Sequence, residues 1–460
     1  MKKNAAFAVL CLAIALVMSS AAAFEYLGDV YTAKTDDGVT IKLLRYHPPG
    51  ESANGGAQPV VLFSGLLCNM NEYLTHTPPE LKELYNVELP SDLAEWARGD
   101  ERIQNDPMLY YSLAYYLWKQ GYDVWLVNYR GTGSEGMKSQ VGSAKTSLDT
   151  WALYDTRAAI RKVYEVTGKH PVIGGHSTGG LVSYVYLQGA RFKWTYHCFF
   201  GEPWCRKVVS DDKLVRERNG EIDGPETVVG VIALDPAMIP PLPKVTDMKL
   251  TWLLLDTPLY IDIRGIVEDI AKSDKLWYKT VLTVDRVFEL IFKMNEKYGK
   301  YSEIIRDLTF TNLNDLNPAL EDFMARYIVD SLYTPTLAQY NDFGTHKTAR
   351  EYFENGGRWY LFEPPTPKPG RDGYYYYIYN MKKVKVPFIT LLSEYDGLVE
   401  ADQIIRDLME AKTPHQYDEY YIIEGTAHVD LPFGLKAPTE IFPKIGAWLE
   451  KVRIYGVTPH

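Results

Sequence analysis

The stretch Pro171–Leu181 constrains the fold of this chain more than any other. A short apolar run leads into Gly175-His-Ser-Thr-Gly179, and a helical pattern of apolar residues follows. When a strand turns at once into a helix, the residue between them takes a strained backbone conformation and its side chain rises above the sheet. Side chains two positions before and after that residue would collide, so the turn requires glycine there. The stretch therefore predicts a nucleophile elbow, with Gly175 and Gly179 on either side of Ser177.

An ordinary glycine-rich turn with a surface serine is the alternative interpretation, because a motif this short is a weak signal by itself. The strand before it and the helix after it favour the elbow. A helix start leaves backbone N–H groups without partners, and that of Thr178 is placed to stabilise an oxyanion. A second such donor is expected where the apolar run Val60–Phe63 continues into Ser64-Gly-Leu-Leu67, since folds of this kind supply it there.

Apolar runs that suit buried parallel strands alternate with helical patterns over most of the chain. The runs are Val60–Phe63, Asp123–Val127, Pro171–Ile173, Thr227–Leu234, Val386–Leu392 and Tyr417–Ile423. Residues 26–47 alternate in polarity around Asp36-Asp-Gly38, which predicts an antiparallel hairpin before them. This order predicts an α/β fold whose core, residues 24–235 and 384–460, is a doubly wound and mostly parallel sheet.

The pattern changes between residues 236 and 383, where we predict a mostly helical insertion that caps the carboxyl end of the sheet. Amphipathic helices are indicated by Ile266, Ile270, Val284, Val287, Phe288 and Ile291. Another helix is predicted to start at Asn317-Pro318 and to end at Pro335. Their apolar faces either pack as core or line an acyl channel, and the sequence leaves both open. Residues 71–106 are polar and weakly periodic, so we expect a surface insertion there.

Three polar residues follow predicted strands in the chain order Ser177, Asp396, His428. Acyl-transfer hydrolases need a nucleophile, a base and an acid that orients the base, and they carry them in this order on an α/β sheet with an elbow. Histidine can accept a serine proton near neutral pH, and a buried carboxylate fixes the histidine tautomer. The sequence therefore predicts that these residues form a catalytic triad.

Two other carboxylates compete with Asp396 for the role of the acid. Asp235 also ends a predicted strand, and Glu394 lies two residues before Asp396. Asp396 is favoured because its turn directly follows an apolar strand. Pro236 indicates instead that Asp235 caps a helix or a turn.

The amino terminus predicts export. Lys2 and Lys3 precede an apolar run from Ala5 to Met18, and Ala21-Ala-Ala23 follows. This is the pattern of a signal peptide, residues 1–23, that is cleaved near Ala23. The run is too short to span a bilayer comfortably and no other stretch reaches that length, so we expect a periplasmic or extracellular protein without stable membrane insertion.

Charge and cysteine content exclude several kinds of partner. A formal net charge of −10 at pH 7 argues against nucleic acid as a partner. In an oxidising compartment Cys198 and Cys205 are expected to close a small disulfide loop, which leaves Cys68 as a free, buried thiol. We expect no metal, because His197 beside Cys198 has no second ligand pair at a suitable spacing.

On these residues the chain resembles an α/β-hydrolase, and more narrowly the acid lipase family of gastric and lysosomal lipases. The matching stretches are Thr35-Asp-Asp-Gly-Val-Thr-Ile41, Ser64-Gly-Leu-Leu67, Tyr122-Asp-Val-Trp-Leu126, Asn128-Tyr-Arg-Gly131, Gly175-His-Ser-Thr-Gly179, His428-Val-Asp430 and Gly434-Leu-Lys-Ala-Pro438. The resemblance implies the triad Ser177, Asp396 and His428, with the backbone N–H groups of Leu66 and Thr178 as oxyanion donors.

The chain departs from that family at Ser64, where a histidine is usual, and at Thr178, which replaces a glutamine. The cap shows no match, so hydrolase chemistry carries over better than specificity for triglycerides. We expect a serine hydrolase that cleaves carboxylic esters of small molecules or lipids through an acyl-enzyme, without a cofactor. A peptidase or amidase with the same triad is the first alternative. A binding module without catalysis is the second, and the complete triad argues against it.

Overall fold

The computed structural model describes residues 28–48, 56–83, 85, 87–134, 136–196, 204–239, 258–271, 317–352 and 367–455. The predicted signal peptide, Cys198 and the cap residues Val284, Val287, Phe288 and Ile291 lie outside these residues. The predictions made for them therefore stay predictions.

The strands, in chain order, are β1 (Asp29–Lys34), β2 (Thr40–Tyr46), β3 (Pro59–Phe63), β4 (Asp123–Asn128), β5 (Val172–His176), β6 (Ala190–Tyr196), β7 (Trp204–Ser210), β8 (Gly230–Leu234), β9 (Tyr260–Ile261), β10 (Leu332–Tyr333), β11 (Phe388–Ser393) and β12 (Glu419–Ile423). An eight-stranded sheet has the order β1-β2-β4-β3-β5-β8-β11-β12. Strand β2 is antiparallel to both of its neighbours, and all later pairs are parallel. This order is that of the α/β-hydrolase fold, so the predicted fold class is confirmed.

The α-helices are α1 (Glu101–Asn105), α2 (Leu113–Lys119), α3 (Leu148–Thr150), α4 (Thr156–Thr167), α5 (Thr178–Leu187), α6 (Asp212–Arg218), α7 (Ile263–Ala271), α8 (Pro318–Phe323), α9 (Thr334–His346), α10 (Ala401–Ile404), α11 (Asp430–Phe433) and α12 (Phe442–Tyr455). A π-helical turn, Trp151–Asp155, joins α3 to α4. Helix α4 is capped by Gly168, which has φ 67° and donates its N–H to the carbonyl of Tyr164. Among the described residues, no helix is both long enough and apolar enough to cross a membrane.

Both faces of the sheet are covered, which explains why its inner strands are apolar along their whole length. Alternate residues of β3 belong to different apolar clusters: Val61 and Phe63 to one, Val60 and Leu62 to the other. All four are fully buried. Burial of each such side chain stabilises the fold by about 1.5–3 kcal/mol, so these continuous runs fix which strands occupy the centre.

The prediction of a surface insertion at residues 71–106 was wrong. Leu81, Tyr85 and Ile103 are buried in a third apolar cluster, together with Leu320 and Phe323 of the cap. The segment consists mostly of 3-10 turns and loops, and these bury apolar side chains without a regular period. Its lack of periodicity therefore did not indicate exposure.

The prediction that Pro335 ends a cap helix was also wrong. Helix α8 does begin at Pro318 with Asn317 as its cap, but the helical segment ends at Ile328. Pro335 lies in the first turn of the next helix, α9. A proline lacks only an N–H that the first turn leaves unpaired anyway, so it starts a helix as readily as it stops one.

A second, two-stranded sheet of β6 and β7 was not predicted. Its last described pair is Tyr196 opposite Trp204, with Thr195 opposite Cys205. Cys198 lies beyond that pair and outside the described residues, so its disulfide with Cys205 remains a prediction.

Candidate functional site

Ser177 lies at a strand-to-helix turn at the carboxyl end of the sheet. Strand β5 ends at His176 and helix α5 begins at Thr178. Between them Ser177 has φ 52° and ψ −112°, a strained conformation for a residue with a side chain. Its N–H donates to the carbonyl of Leu234, which holds the turn against β8.

The glycines of the elbow are required by close contact with backbone. A Cβ atom at Gly175 or at Gly179 would lie 1.9 Å from the carbonyl oxygen of Phe63. Real Cβ atoms do not approach an oxygen that closely, so a side chain at either position would push β3 away. Both positions therefore require glycine for a steric reason, as predicted. Any side chain there would collide with the carbonyl oxygen of Phe63.

His428 and Asp396 meet beside this turn. Asp396 follows β11 and His428 follows β12, and the distance from His428 Nδ1 to Asp396 Oδ2 is 2.6 Å. The other carboxylate oxygen, Oδ1, accepts the N–H groups of Leu398 at 2.7 Å and Val399 at 3.0 Å. These contacts fix the carboxylate, which in turn holds the imidazole with its Nε2 available as a proton acceptor.

The charge of Asp396 is favoured by its neighbours. Burial opposes the charge, but His428 and the N–H groups of Leu398 and Val399 outweigh burial and hold the pKa of Asp396 below its usual range. Asp396 is therefore an ionised carboxylate near neutral pH and can hold the imidazole of His428 in one tautomer.

Asp235 lies in the same site, although the sequence indicated a helix or turn cap. It is 1% exposed and has φ 38°. Its carboxyl oxygens contact the N–H of Ser393 at 2.8 Å and the hydroxyl of Ser393 at 2.6 Å. Burial, followed by the charge of Asp396, raises the pKa of Asp235 well above its usual range. The surroundings of Asp235 therefore disfavour its charge, whereas those of Asp396 favour it.

The second competitor, Glu394, is exposed and accepts the N–H of Gly425 at 2.8 Å. It takes no part in the contact between Asp396 and His428.

Asp235, Asp396 and His428 have ligand-type atoms within 4.8 Å of one another. A metal ion there would have to displace the hydrogen bond between His428 Nδ1 and Asp396. The arrangement suits an oriented imidazole better than a metal site.

The predicted oxyanion donors lie on two segments that meet at the elbow. Thr178 is the first residue of α5, and Leu66 follows β3 in a loop where Leu67 has φ 62°. Among the hydrogen bonds of the described residues, neither the N–H of Leu66 nor that of Thr178 is used. The Thr178 hydroxyl contacts the hydroxyl of Tyr340, a residue of cap helix α9, at 2.8 Å.

The cap holds the loop that carries Leu66. The N–H of Asp330 donates to the carbonyl of Leu67 at 2.7 Å, and the N–H of Asn69 donates to the carbonyl of Ile328 at 3.1 Å. Cys68 forms an isolated bridge with Val329. It is a free thiol, as predicted, but partly rather than fully buried by solvent exposure.

Sequence reasoning missed Glu72 and gave no role to His176. Both are almost fully buried, and the distance from His176 Nδ1 to Glu72 Oε1 is 2.6 Å. Glu72 Oε2 accepts the N–H of Gly65 at 2.9 Å, and His176 Nε2 donates to the carbonyl of His428 at 2.8 Å. The position of His176 next to the nucleophile was the one available signal, while Glu72 lies in a segment with no pattern.

The chain is similar in part to known hydrolases. A family model for serine aminopeptidase S33 matches residues 107–206. Lipase lipl-3 of Caenorhabditis elegans is 28% identical over 172 residues, which cover 35% of this chain and 35% of the relative. Lipase lipl-1 of the same organism is 25% identical over 178 residues, which cover 37% of this chain and 36% of the relative. The chain thus spans about a third of the length of the curated relatives that it matches.

The solved structures to which the chain is similar include a putative aryl esterase from Burkholderia cenocepacia. It has 13% identity and a TM-score of 0.45, over 93% of this chain and 100% of that one. A monoacylglycerol lipase from Paleococcus ferrophilus has 14% identity and a TM-score of 0.44, over 90% of this chain and 99% of that one.

Proposed function

We propose that this chain is an exported serine hydrolase that cleaves carboxylic esters, lipid esters among them, through an acyl-enzyme. The observation that carries the proposal is the 2.6 Å contact between His428 Nδ1 and Asp396 beside the strained turn at Ser177. A general base oriented by a buried carboxylate, next to a raised serine, suits acyl transfer.

In the proposed mechanism the Ser177 hydroxyl attacks the ester carbonyl carbon while His428 Nε2 takes its proton. The carbonyl oxygen becomes an oxyanion that the N–H groups of Leu66 and Thr178 receive. Asp396 stabilises the imidazolium, which then gives its proton to the leaving alcohol as the C–O bond breaks. Water, deprotonated by His428, attacks the acyl-enzyme in the same way and releases the acid.

The names of the relatives support an ester as substrate, since the matched nematode proteins are called lipases. The family model that matches residues 107–206 is named for an aminopeptidase and supports an amide as the second candidate. The same triad can cleave both bonds, and the cap decides which substrate reaches Ser177.

Labelling with a fluorophosphonate and turnover of esters test the proposal. The wild-type protein is expected to be labelled at Ser177 and to hydrolyse esters faster than the matching amides. Ser177→Ala should keep the fold and lose turnover by about 10⁴-fold or more. Ester turnover within tenfold of wild type in that variant would contradict the mechanism. Turnover of amides or peptides at a rate that approaches ester turnover would favour the peptidase, because amides are intrinsically less reactive than esters.

Export is part of the proposal and is supported by the amino-terminal pattern that ends at Ala23. Sequencing of the protein from the periplasm or the medium should give an amino terminus close after Ala23. A protein that starts at Met1 and stays in the cytoplasm would contradict it.

A further inference from the structure

A second acid–histidine pair, Glu72 and His176, lies directly beneath the proposed triad. Glu72 is 1% exposed and His176 is 2% exposed. The rings of His176 and His428 are 4.4 Å apart between centroids. The proposed mechanism gives the pair no proton to transfer, yet burial of two ionisable side chains is costly unless their contacts compensate it.

The contacts define where the protons of the pair are. The carbonyl of His428 can only accept, so His176 Nε2 carries a proton and donates it there. The contact of 2.6 Å between His176 Nδ1 and Glu72 Oε1 needs one further proton, on the nitrogen or on the oxygen. Either placement leaves the pair without net charge. Its value to the site therefore lies in its hydrogen bonds rather than in a charge.

Those hydrogen bonds join the segments that an acyl transfer has to align. Glu72 Oε2 holds the N–H of Gly65, the residue before the proposed oxyanion donor Leu66. His176 immediately precedes Ser177 and reaches the main chain of His428. The backbone N–H of His176 also donates to the hydroxyl of Tyr73, which donates to the carbonyl of Phe63 at the end of β3.

We propose that Glu72 and His176 are positioning residues that set the distance between the oxyanion loop, the nucleophile and the catalytic histidine. This inference rests on the proposed function. Under this inference, the alignment of the three segments depends on one buried pair of side chains rather than on each loop separately. A misplacement of about 1 Å can cost about 10²-fold in rate, so such a pair would act on catalysis without touching substrate.

Two substitutions of Glu72 separate hydrogen bonding from charge. In Glu72→Gln the amide oxygen can still accept the N–H of Gly65, and the amide NH₂ can donate to Nδ1 of a neutral His176. Every hydrogen bond of the pair is then kept. In Glu72→Leu the volume is similar but both acceptors are lost, so Gly65 and His176 Nδ1 are left unpaired.

The experiment measures kcat and KM on one ester for both variants, with the active serine titrated by a fluorophosphonate. Glu72→Gln is expected within about tenfold of wild type, and Glu72→Leu about 10²-fold lower in kcat with little change in KM. Affinity for a trifluoromethyl ketone, which forms the tetrahedral adduct, should fall in parallel with kcat/KM. His176→Phe should repeat the result of Glu72→Leu.

Asp123→Asn is the matched control, because Asp123 and Arg45 form a buried ion pair at the start of β4, the opposite end of the strands from Ser177. It should lower the melting temperature and leave kcat unchanged.

Three results would overturn the inference: Glu72→Gln as impaired as Glu72→Leu, unchanged kcat in Glu72→Leu, or failure of both Glu72→Leu and His176→Phe to fold. If wild-type protein itself is neither labelled nor active on esters or amides, the proposed function fails instead.

Discussion

At the scale of single residues, the surroundings of two neighbouring carboxyl groups shift their pKa values in opposite directions. Asp396 has an imidazole and backbone N–H groups around it, which lower its pKa. Burial and the neighbouring charge of Asp396 raise the pKa of Asp235, although its hydrogen bonds from Ser393 oppose the shift. Acids whose surroundings push their pKa values apart can take different roles, and only the ionised one can orient the imidazole.

Asp396→Asn should therefore cost about 10⁴-fold in kcat, because an amide no longer selects the correct tautomer of His428. Asp235→Asn should cost far less, since Asp235 bonds to Ser393 rather than to the imidazole. Steady-state kinetics on both variants, with the serine titrated, measures the difference. The reverse ranking would make Asp235 the acid of the triad.

Asp235 should also make stability depend on pH. Its pKa is raised in the folded protein, so the stability that it contributes is complete below the pKa of the unfolded chain and is lost as pH rises. Relative to wild type, Asp235→Asn should become more stable as pH increases from about 4, the ordinary pKa of aspartate. Urea unfolding of both proteins between acidic and neutral pH measures this, and a difference that stays constant or falls with pH would contradict it.

At the scale of elements, the helices and strands that could be predicted from the sequence are those whose apolar residues follow a regular pattern. The run Val60–Phe63 became β3 because a strand buried on both faces must be apolar throughout. The elbow was predictable because local steric contacts allow only glycine on either side of Ser177. Glu72 was not, because its partner His176 lies far along the chain and its own 3-10 turn, Met70–Tyr73, has no period that shows burial.

Replacing Gly179 of the elbow by alanine should destabilise the protein more than the same change at Gly168, which lies outside the elbow. Gly168→Ala should cost about 1–2 kcal/mol, because only its positive φ is unfavourable and its Cβ would meet open space. Gly179→Ala should cost at least about 3 kcal/mol, the upper range for overpacking, because its Cβ would strike the carbonyl of Phe63.

Urea unfolding measures both costs, and esterase activity should be lost only in Gly179→Ala. Equal costs in the two variants would show that β3 and α5 can separate without penalty.

At the scale of the whole molecule, cap and core are joined at the loop that carries Leu66, the proposed oxyanion donor. Tyr327, Ile328 and Asp330 of the cap bond to Leu67 and Asn69 of the loop. A sequence pattern cannot reveal this, because it depends on main-chain groups of segments far apart in the chain. The consequence is that this part of the cap supports the loop that carries Leu66, the proposed oxyanion donor.

Asp330 is the residue on which that connection can be tested. Its Oδ2 accepts the side-chain amide of Asn69 at 2.8 Å and the N–H of Gly133 at 2.7 Å, so it ties the cap to two loops of the core. In Asp330→Ala both donors would be left buried and unpaired, at about 1–3 kcal/mol each. We expect a lower melting temperature together with a lower kcat, because the loop that carries Leu66 would lose its support.

Glu268→Gln on cap helix α7 is the control for that prediction. The Glu268 carboxylate is 34% exposed and accepts Nε–H of the buried Arg264 at 2.8 Å, and the amide oxygen of glutamine can still accept that hydrogen bond. That variant should keep kcat and nearly all of its stability. If Asp330→Ala lowers the melting temperature but keeps kcat, the cap supports the fold and not the oxyanion loop, and a search for specificity determinants should then turn to Tyr340 beside Thr178.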